Sequence, residues 1–148
     1  MHARYACGMV TSTSYRLTSE LKKRLAKRAA SENTTETALV SRLLEQGLAT
    51  IEHPGIVYRP GPSGWRAALA GGPDVDEVVR AIRSSGVAGD KAVSKAAGSL
   101  GIDVRLVRIA IDYAAEHLEE IEARLRHNEE AAERVRKLTF ARSSLLTG

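Results

Sequence analysis

The chain contains 148 residues and carries a formal net charge of +4. No apolar run approaches the ~18 residues that a membrane-spanning helix needs, and the amino terminus lacks the apolar core of a signal peptide, so we expect a cytoplasmic protein without a membrane partner. Hydrophobic residues make up 43% of the chain but aromatic residues only 4%. The cores must therefore consist of Ala, Leu, Val and Ile, which favours a mainly α fold.

Breaks in composition predict how the chain is divided. The run His53-Pro54-Gly55 separates two regions of different character, so we expect two small units, residues 11–53 and 54–136, instead of one domain. Residues 1–10 are interpreted as a disordered leader and residues 137–148 as a flexible tail. The single cysteine, Cys7, lies in the leader, where it can build neither a disulfide framework nor a metal site.

The first predicted element is a short strand over residues 11–17. Its side chains alternate in character, so every second residue points to the same face. The face expected in the core carries Thr13, Tyr15 and Leu17, and the polar, cationic face carries Ser12, Ser14 and Arg16. The pattern predicts a strand that buries one face and exposes the other.

Two amphipathic helices are predicted after the strand. Thr18 or Ser19 can cap the first helix, and Asn33 can adopt the left-handed conformation that closes it. Thr34 or Thr35 can cap the second helix. The apolar stripes comprise Leu21, Leu25 and Ala29 in the first helix and Leu39, Leu43, Leu44 and Leu48 in the second.

A unit of roughly forty residues with one exposed strand cannot form a stable core alone, and an unpaired strand is an open edge. We therefore expect a homodimer, or a higher homo-oligomer, in which two strands pair antiparallel about a two-fold axis. This strand-helix-helix segment, about a third of the chain, resembles the ribbon-helix-helix family of Arc- and MetJ-like repressors and many antitoxins. The resemblance implies binding to operator DNA, with Ser12, Ser14 and Arg16 reading base edges in the major groove.

Phosphate contacts are expected beside the ribbon. The resemblance implies that backbone N–H groups at the start of the second helix, around Thr35, Glu36 and Thr37, bind the DNA backbone. Between residues 11 and 31, Glu20 is the one acid against Arg16, Lys22, Lys23, Arg24, Lys27 and Arg28. Such a patch, with Lys22 and Lys23 as further phosphate contacts, fits a polyanionic partner. The alternative is an ordinary solvated helix face, but the adjoining strand favours DNA.

The second region begins with a predicted hairpin. Residues 56–59 and 65–69 flank the turn-forming run Pro60-Gly61-Pro62-Ser63-Gly64. Asp74 then caps a helix that extends to about Ser85.

Two further helices over residues 90–116 meet at Gly101, and this arrangement resembles a helix-turn-helix. If the segment binds DNA, Arg105 and Arg108 on its second helix form a second DNA site. The alternative is a helical packing unit, which the acidic residues Asp103 and Asp112 on the exposed face favour.

From Leu118 onwards, spacings of three and four alternate as in the seam of a coiled coil. The seam comprises Leu118, Ile121, Leu125, Asn128, Ala132 and Val135, with Asn128 as its polar marker. It can pack on its own domain or on a partner helix, and the sequence favours neither. The tail after Lys137 can be disordered or can fold on a partner.

Residues 54–136 together resemble the small helical domain of actinobacterial VapB-like antitoxins, which are encoded beside PIN-type ribonuclease toxins. The resemblance rests on GIVYRPGPSGWRAALAGGPDVDEVVRAI, the helix-turn-helix-like stretch and IDYAAEHLEEIEARL. It implies that the carboxy-terminal region binds a protein toxin while the amino-terminal region binds an operator.

An enzyme is not expected, because no catalytic or metal-binding spacing occurs. His2, His53, His117 and His127 are scattered near segment ends or on charged faces, so each is interpreted as a solvated histidine. The acids Asp74, Asp76 and Glu77 are explained by their place in the first turn of a helix. We therefore predict no catalytic residue, no metal and no cofactor.

The sequence thus predicts a dimeric DNA-binding antitoxin and autorepressor that binds its operator through a paired β-ribbon and neutralises a PIN-type toxin. The fold expected is a ribbon-helix-helix followed by a small β-hairpin and a helical, helix-turn-helix-like domain. The alternative is a transcriptional or plasmid-partition regulator without a toxin, whose second domain binds DNA or extends oligomers.

Overall fold

The computed structural model describes residues 11–146 and is mainly helical with one small antiparallel sheet, which confirms the expected class. The elements in chain order are α1 (Ser19–Ser31), α2 (Glu36–Glu52), β1 (Ile56–Gly61), β2 (Gly64–Leu69), α3 (Val75–Arg83), α4 (Asp90–Leu100), α5 (Val104–Glu116) and α6 (Leu118–Leu146). The predicted leader, residues 1–10, lies outside the described residues.

Contacts divide the chain into two compact units, the first ending at Leu44 and the second beginning at Glu45. The contacts place the boundary between these units within α2, ahead of the His53-Pro54-Gly55 break at which the sequence predicts the domain boundary. The reason is burial, because Ala49 and His53 are buried with the second unit. The glycine and proline end the helix, but side-chain packing decides which unit its last turns join.

The helices of the first unit begin and end where the sequence predicts. The Thr18 side chain accepts a hydrogen bond from the backbone N–H of Leu21, with 3.3 Å between N and Oγ1. Asn33 has φ 51°, the left-handed conformation expected after α1. Thr35 is the cap of α2, since its Oγ1 accepts from the N–H of Ala38 at 3.1 Å.

Residues 11–18 precede α1 without regular secondary structure, and all of their side chains are exposed. A strand whose partner is the same strand of a second copy has nothing to pair with in a single chain. The paired ribbon therefore stays a prediction.

The hairpin of the second unit matches its prediction. β1 and β2 pair antiparallel in a register that runs from Ile56 opposite Leu69 to Gly61 opposite Gly64. Pro62 and Ser63 form the turn, and Gly64 has φ 96°, a conformation that a side chain would strain. The hairpin contributes Ile56 and Leu69 to the core.

Helices α3, α4 and α5 complete this core around the hairpin. Tyr113 on α5 is the largest fully buried side chain in the described part of the molecule. The other buried apolar side chains of these helices are Val75, Val78, Ala92, Val93, Ala96, Ala97, Val107, Ala110 and Ala114. Gly101, with φ 66°, closes α4 in the left-handed conformation and allows α5 to follow closely, as the sequence predicts.

Helix α6 packs in one of the two arrangements that the sequence allows, and it is longer than predicted. Ile121 and Leu125 pack into the core of the second unit, so this part of the seam packs on its own domain. The helix then continues to Leu146, where the sequence analysis predicts a flexible tail after residue 136. Residues 137–146 contain neither glycine nor proline, so losing the apolar pattern does not end the helix. None of the helices within residues 11–146 has the length and apolar character needed to cross a membrane.

Candidate nucleic-acid interface

The predicted base-reading residues lie directly before α1. Ser12, Ser14 and Arg16 are exposed, and Arg16 stands two positions before Thr18, the cap of α1. Tyr15, on the opposite side of the alternation, is also 75% exposed. Both faces of the segment are therefore open in the single chain, including the face predicted to be buried.

The cations of α1 divide into paired and available charges. Lys22 forms an ion pair with Glu36, and Arg28 forms one with Glu32. No ion pair of Arg16, Lys23, Arg24 or Lys27 occurs among residues 11–146, and all four side chains are exposed. These four cations are therefore available to phosphates, whereas Lys22 neutralises Glu36.

The start of α2 offers a second kind of phosphate contact. Thr35 and Thr37 are exposed and Glu36 is half-buried. The N–H groups of the first helical turn have no carbonyl one turn earlier to bind, so those of Glu36 and Thr37 are free to meet an anion. The pair with Lys22 offsets the Glu36 carboxylate, which would otherwise repel a phosphate.

An ion-pair network fixes α2 against α1. Arg42 of α2 donates from Nη2 to Oε2 of Glu32 at 2.6 Å, and Arg28 of α1 bonds the other oxygen of the same carboxylate. The hydrogen bond from Arg42 is the main reason that the pKa of Glu32 lies below its usual value. The network joins the end of the cationic helix to the helix whose amino terminus is the predicted phosphate site.

The first unit leaves much apolar surface uncovered. Ala29 and Leu39 are its only buried residues within the described range. A groove of about 450 Å³ runs between α1 and α2, lined on its apolar side by Leu21, Leu25 and Leu43. Leu43 is 47% exposed, although it belongs to the stripe predicted to be buried. Stable monomers rarely expose contiguous apolar surface of this kind.

The arginines predicted as a possible second DNA site are held by neighbouring acids. The Nε of Arg105 lies 3.1 Å from Oδ1 of Asp103, the residue that caps α5. The Nη2 of Arg108 lies 3.0 Å from Oδ1 of Asp90 at the start of α4. Each arginine thus has an exposed carboxylate beside it, and the negative charge of these acids favours the packing interpretation over DNA binding.

Sequence reasoning missed a polar cluster around the buried Tyr113 in the second unit. The hydroxyls of Tyr58 and Tyr113 lie 3.0 Å apart, and that of Tyr113 donates to Glu120 Oε2 at 3.1 Å. The His117 ring stacks on Tyr113 with 4.2 Å between centroids. Burial, ahead of the hydrogen bond with Tyr58, raises the pKa of Tyr113 far above its usual value. The cluster ties the hairpin to α5 and α6.

His53 corrects the expectation that every histidine is solvated. It is buried, its Nε2 lies 3.2 Å from Oε2 of Glu116, and its ring meets Tyr113 edge to face. No local pattern could have revealed this, because both partners lie about sixty positions further along the chain. By contrast, His127 lies on the exposed surface, within 2.9 Å of the Ser63 hydroxyl.

Asn128, predicted as the polar marker of a coiled-coil seam, instead contacts its own chain. Its Nδ2 donates to Oδ2 of Asp76 at 2.8 Å. Asp76 is only 3% exposed, and burial raises the pKa of its carboxyl. The sequence places Asp76 in the first turn of a helix, and the structure adds that it is a buried anchor for α6.

Comparison of the chain with protein-family models, curated proteins and solved structures gave no match. Within residues 11–146, no group of three or more His, Cys, Asp and Glu side chains is placed to hold a metal ion. The function must therefore be argued from the chemistry of the residues described above.

Proposed function

We propose that the protein is a dimeric DNA-binding antitoxin and autorepressor. Residues 11–17 of two copies pair into a ribbon that enters the major groove of operator DNA, and the amino terminus of α2 holds the flanking phosphates. Arg16 is the most selective reader, because a guanidinium can make a bidentate contact with guanine, whereas the serines accept several bases.

One observation carries the DNA-binding part of the proposal. The exposed segment that contains Ser12, Ser14 and Arg16 leads directly into the cap of α1, whose cations remain largely available. A base-reading edge, a cationic helix and a helix amino terminus thus lie within a single short unit. The uncovered leucines of the same unit supply the surface that a second copy would bury.

The second unit supports a partner-binding role better than catalysis or a second DNA site. Its arginines at 105 and 108 are engaged by acids. Its resemblance to VapB-like antitoxin domains points to a PIN-type toxin as the partner, and the toxin part of the proposal rests on that resemblance. If the chain acts without a toxin, the same first unit makes it a transcriptional or plasmid-partition regulator.

The proposal is tested by titrating full-length protein on the DNA upstream of its own reading frame and on scrambled DNA of equal length. Arg16→Ala should weaken specific binding by about 1–3 kcal/mol and relax specificity at one position. The matched control is Lys27→Ala, which should weaken binding to both DNAs equally and lower the salt dependence. Equal behaviour of the two variants would remove the base-reading role of Arg16.

The toxin part needs a separate experiment. Co-expression with the product of the adjacent reading frame should yield a complex whose ribonuclease activity is suppressed. An active, unbound neighbour would leave the regulator without a toxin as the better description.

A further inference from the structure

Helix α6 is covered along only part of its length. Ile121 and Leu125 are buried, and Asn128 bonds the buried Asp76. Every side chain from Ala132 to Leu146 is exposed. The last four turns of the helix therefore have no packing on the described part of the chain.

These last turns have the pattern of a helix that packs against another. Beyond Val135 the alternating spacings of the seam fall on Thr139, Arg142 and Leu146, and Leu138 and Leu145 lie directly beside these positions. Leu138 is 66% exposed and Leu145 is 84% exposed. An isolated helix of this length is marginal in water, since tertiary packing supplies most helical stability. The uncovered seam thus indicates a missing neighbour.

Charge is distributed unequally along α6. The first half carries Glu119, Glu120, Glu122, Glu129, Glu130 and Glu133 against Arg124 and Arg126. The second half carries Arg134, Arg136, Lys137 and Arg142 and has no acid before Leu146. A second α6 laid antiparallel would place its basic half along the acidic half of the first, whereas a parallel one would oppose like charges.

The surface on which a second helix would pack lies beside α6, next to Arg80 of α3. A groove of about 790 Å³ is lined there by Leu125 and Ala132, by three carboxylates and by four cations: Glu129, Glu130, Glu133, Arg80, Arg134, Arg136 and Lys137. Glu133 is paired with Arg136 and Lys137 of its own helix, and such exposed pairs exchange easily. Glu130 and Arg142 form no ion pair within residues 11–146. Because the carboxylates of α6 precede its cations along the groove, an antiparallel copy of the same helix would bring opposite charges together.

We propose that two copies of this chain associate through α6, with the basic half of each helix lying antiparallel in the groove between α3 and α6 of the other. This surface is separate from the ribbon and does not depend on DNA binding. Acting together, the two surfaces would join DNA-binding dimers into larger assemblies.

The test measures mass by sedimentation of the full chain under reducing conditions, which exclude disulfides through Cys7. Pairing of the first units is first disabled with Tyr15→Asp, Leu17→Asp and Leu43→Asp, so that any dimer must form through the second unit. In this background we expect a dimer. Two charge variants, Arg134→Glu with Arg142→Glu and Glu129→Lys with Glu130→Lys, should each be monomeric.

Mixing the two charge variants supplies the decisive control. Each contact in the mixed pair then unites opposite charges, so the mixture should regain the dimer mass. Recovery also shows that both variants are folded, because a misfolded chain could not restore the interface. If the charges of α6 bound a molecule other than a second copy of this chain, mixing the two variants would not restore the dimer.

Three results would overturn the proposal. They are a monomer in the ribbon-disabled background, a dimer that both charge variants retain, or a mixture that stays monomeric. A monomer that instead binds vesicles of anionic phospholipid would assign the basic half of α6 to a lipid surface. None of these results bears on operator binding, which is measured with the ribbon intact.

Discussion

The two units of the chain bury their apolar residues to very different extents. In the second unit Tyr113, Ile56, Leu69 and Val78 are fully buried within one chain. In the first unit most of the predicted apolar stripe stays exposed, and Ala29 and Leu39 are the buried residues that the structure shows there. The second unit therefore has a complete core within one chain, whereas the first unit leaves most of its apolar residues exposed.

Under the proposed function, this difference would allow one chain to combine two kinds of task. A unit that completes its core only on pairing is suited to symmetric DNA, because the same contact that folds it also doubles its base-reading residues. A unit with its own core can present a fixed surface to other proteins. The comparison predicts that substitutions in the two units will differ in how their effects depend on protein concentration.

The largest effect is expected in the second unit. Tyr113→Ala removes a fully buried ring together with its contacts to Tyr58, His117 and Glu120. The free energy of unfolding should fall by about 3–5 kcal/mol, as for other large-to-small core substitutions. Chemical denaturation at several protein concentrations should show the same loss throughout. The matched variant Tyr15→Ala, at an exposed tyrosine, should leave the unfolding of this unit unchanged.

A smaller, concentration-dependent effect is expected in the first unit. Leu43 is 47% exposed in the single chain, but pairing would bury it. Leu43→Asp should weaken dimer formation by about 2–3 kcal/mol, the contribution of one buried leucine. Dilution followed by sedimentation measures the change. A dimer as stable as the original would show that the leucines of α2 do not form the interface.

The pH dependence of the free energy of unfolding should report on the burial of Tyr113. Burial raises the pKa of Tyr113 above that of an unfolded tyrosine, so the fold favours the neutral phenol. The resulting stability is complete below about pH 10, the ordinary value of tyrosine, and is lost as the pH rises above it. Tyr113→Phe should make the free energy of unfolding less steeply dependent on pH above 10. A slope for Tyr113→Phe equal to that of the original protein would refute the assignment to Tyr113.

The smallest effect is expected at the possible second DNA site. Arg105 and Arg108 are engaged by Asp103 and Asp90, and exposed pairs of this kind contribute about 0–1 kcal/mol. Replacing both arginines with alanine should leave operator affinity within about twofold. A loss as large as that of Arg16→Ala would show that the second unit also binds DNA.

The accuracy of the sequence predictions depended on how far apart the interacting residues lie. Thr18, Asn33, Thr35 and Gly101 act on neighbours within one turn, so their residue types predicted the helix ends. The turn-forming run from Pro60 to Gly64 predicted the hairpin in the same way, although its Pro60, Gly61 and Gly64 belong to the paired strands. Such local chemistry is visible in a single sequence.

Contacts between distant residues could not be predicted. His53 was expected in solvent because its partners Tyr113 and Glu116 lie far along the chain. Asn128 was assigned to a coiled-coil seam from its spacing alone. Its hydrogen bond to Asp76 joins two distant elements, so the sequence does not show it. The unit boundary within α2 likewise depends on contacts between residues that are distant in the chain. For the candidate interface, the sequence predicted the residues, and the structure added the Lys22 to Glu36 pair that offsets the adverse charge.

The pairing of residues 11–17 between two copies is tested most directly by hydrogen exchange at their backbone amides. In the single chain these amides belong to no strand, so protection there must come from a partner. A paired ribbon predicts that alternate amides between Ser12 and Leu17 are protected, and that this protection disappears on dilution together with the dimer. Exchange at the rate of an unstructured peptide at every protein concentration would contradict the ribbon.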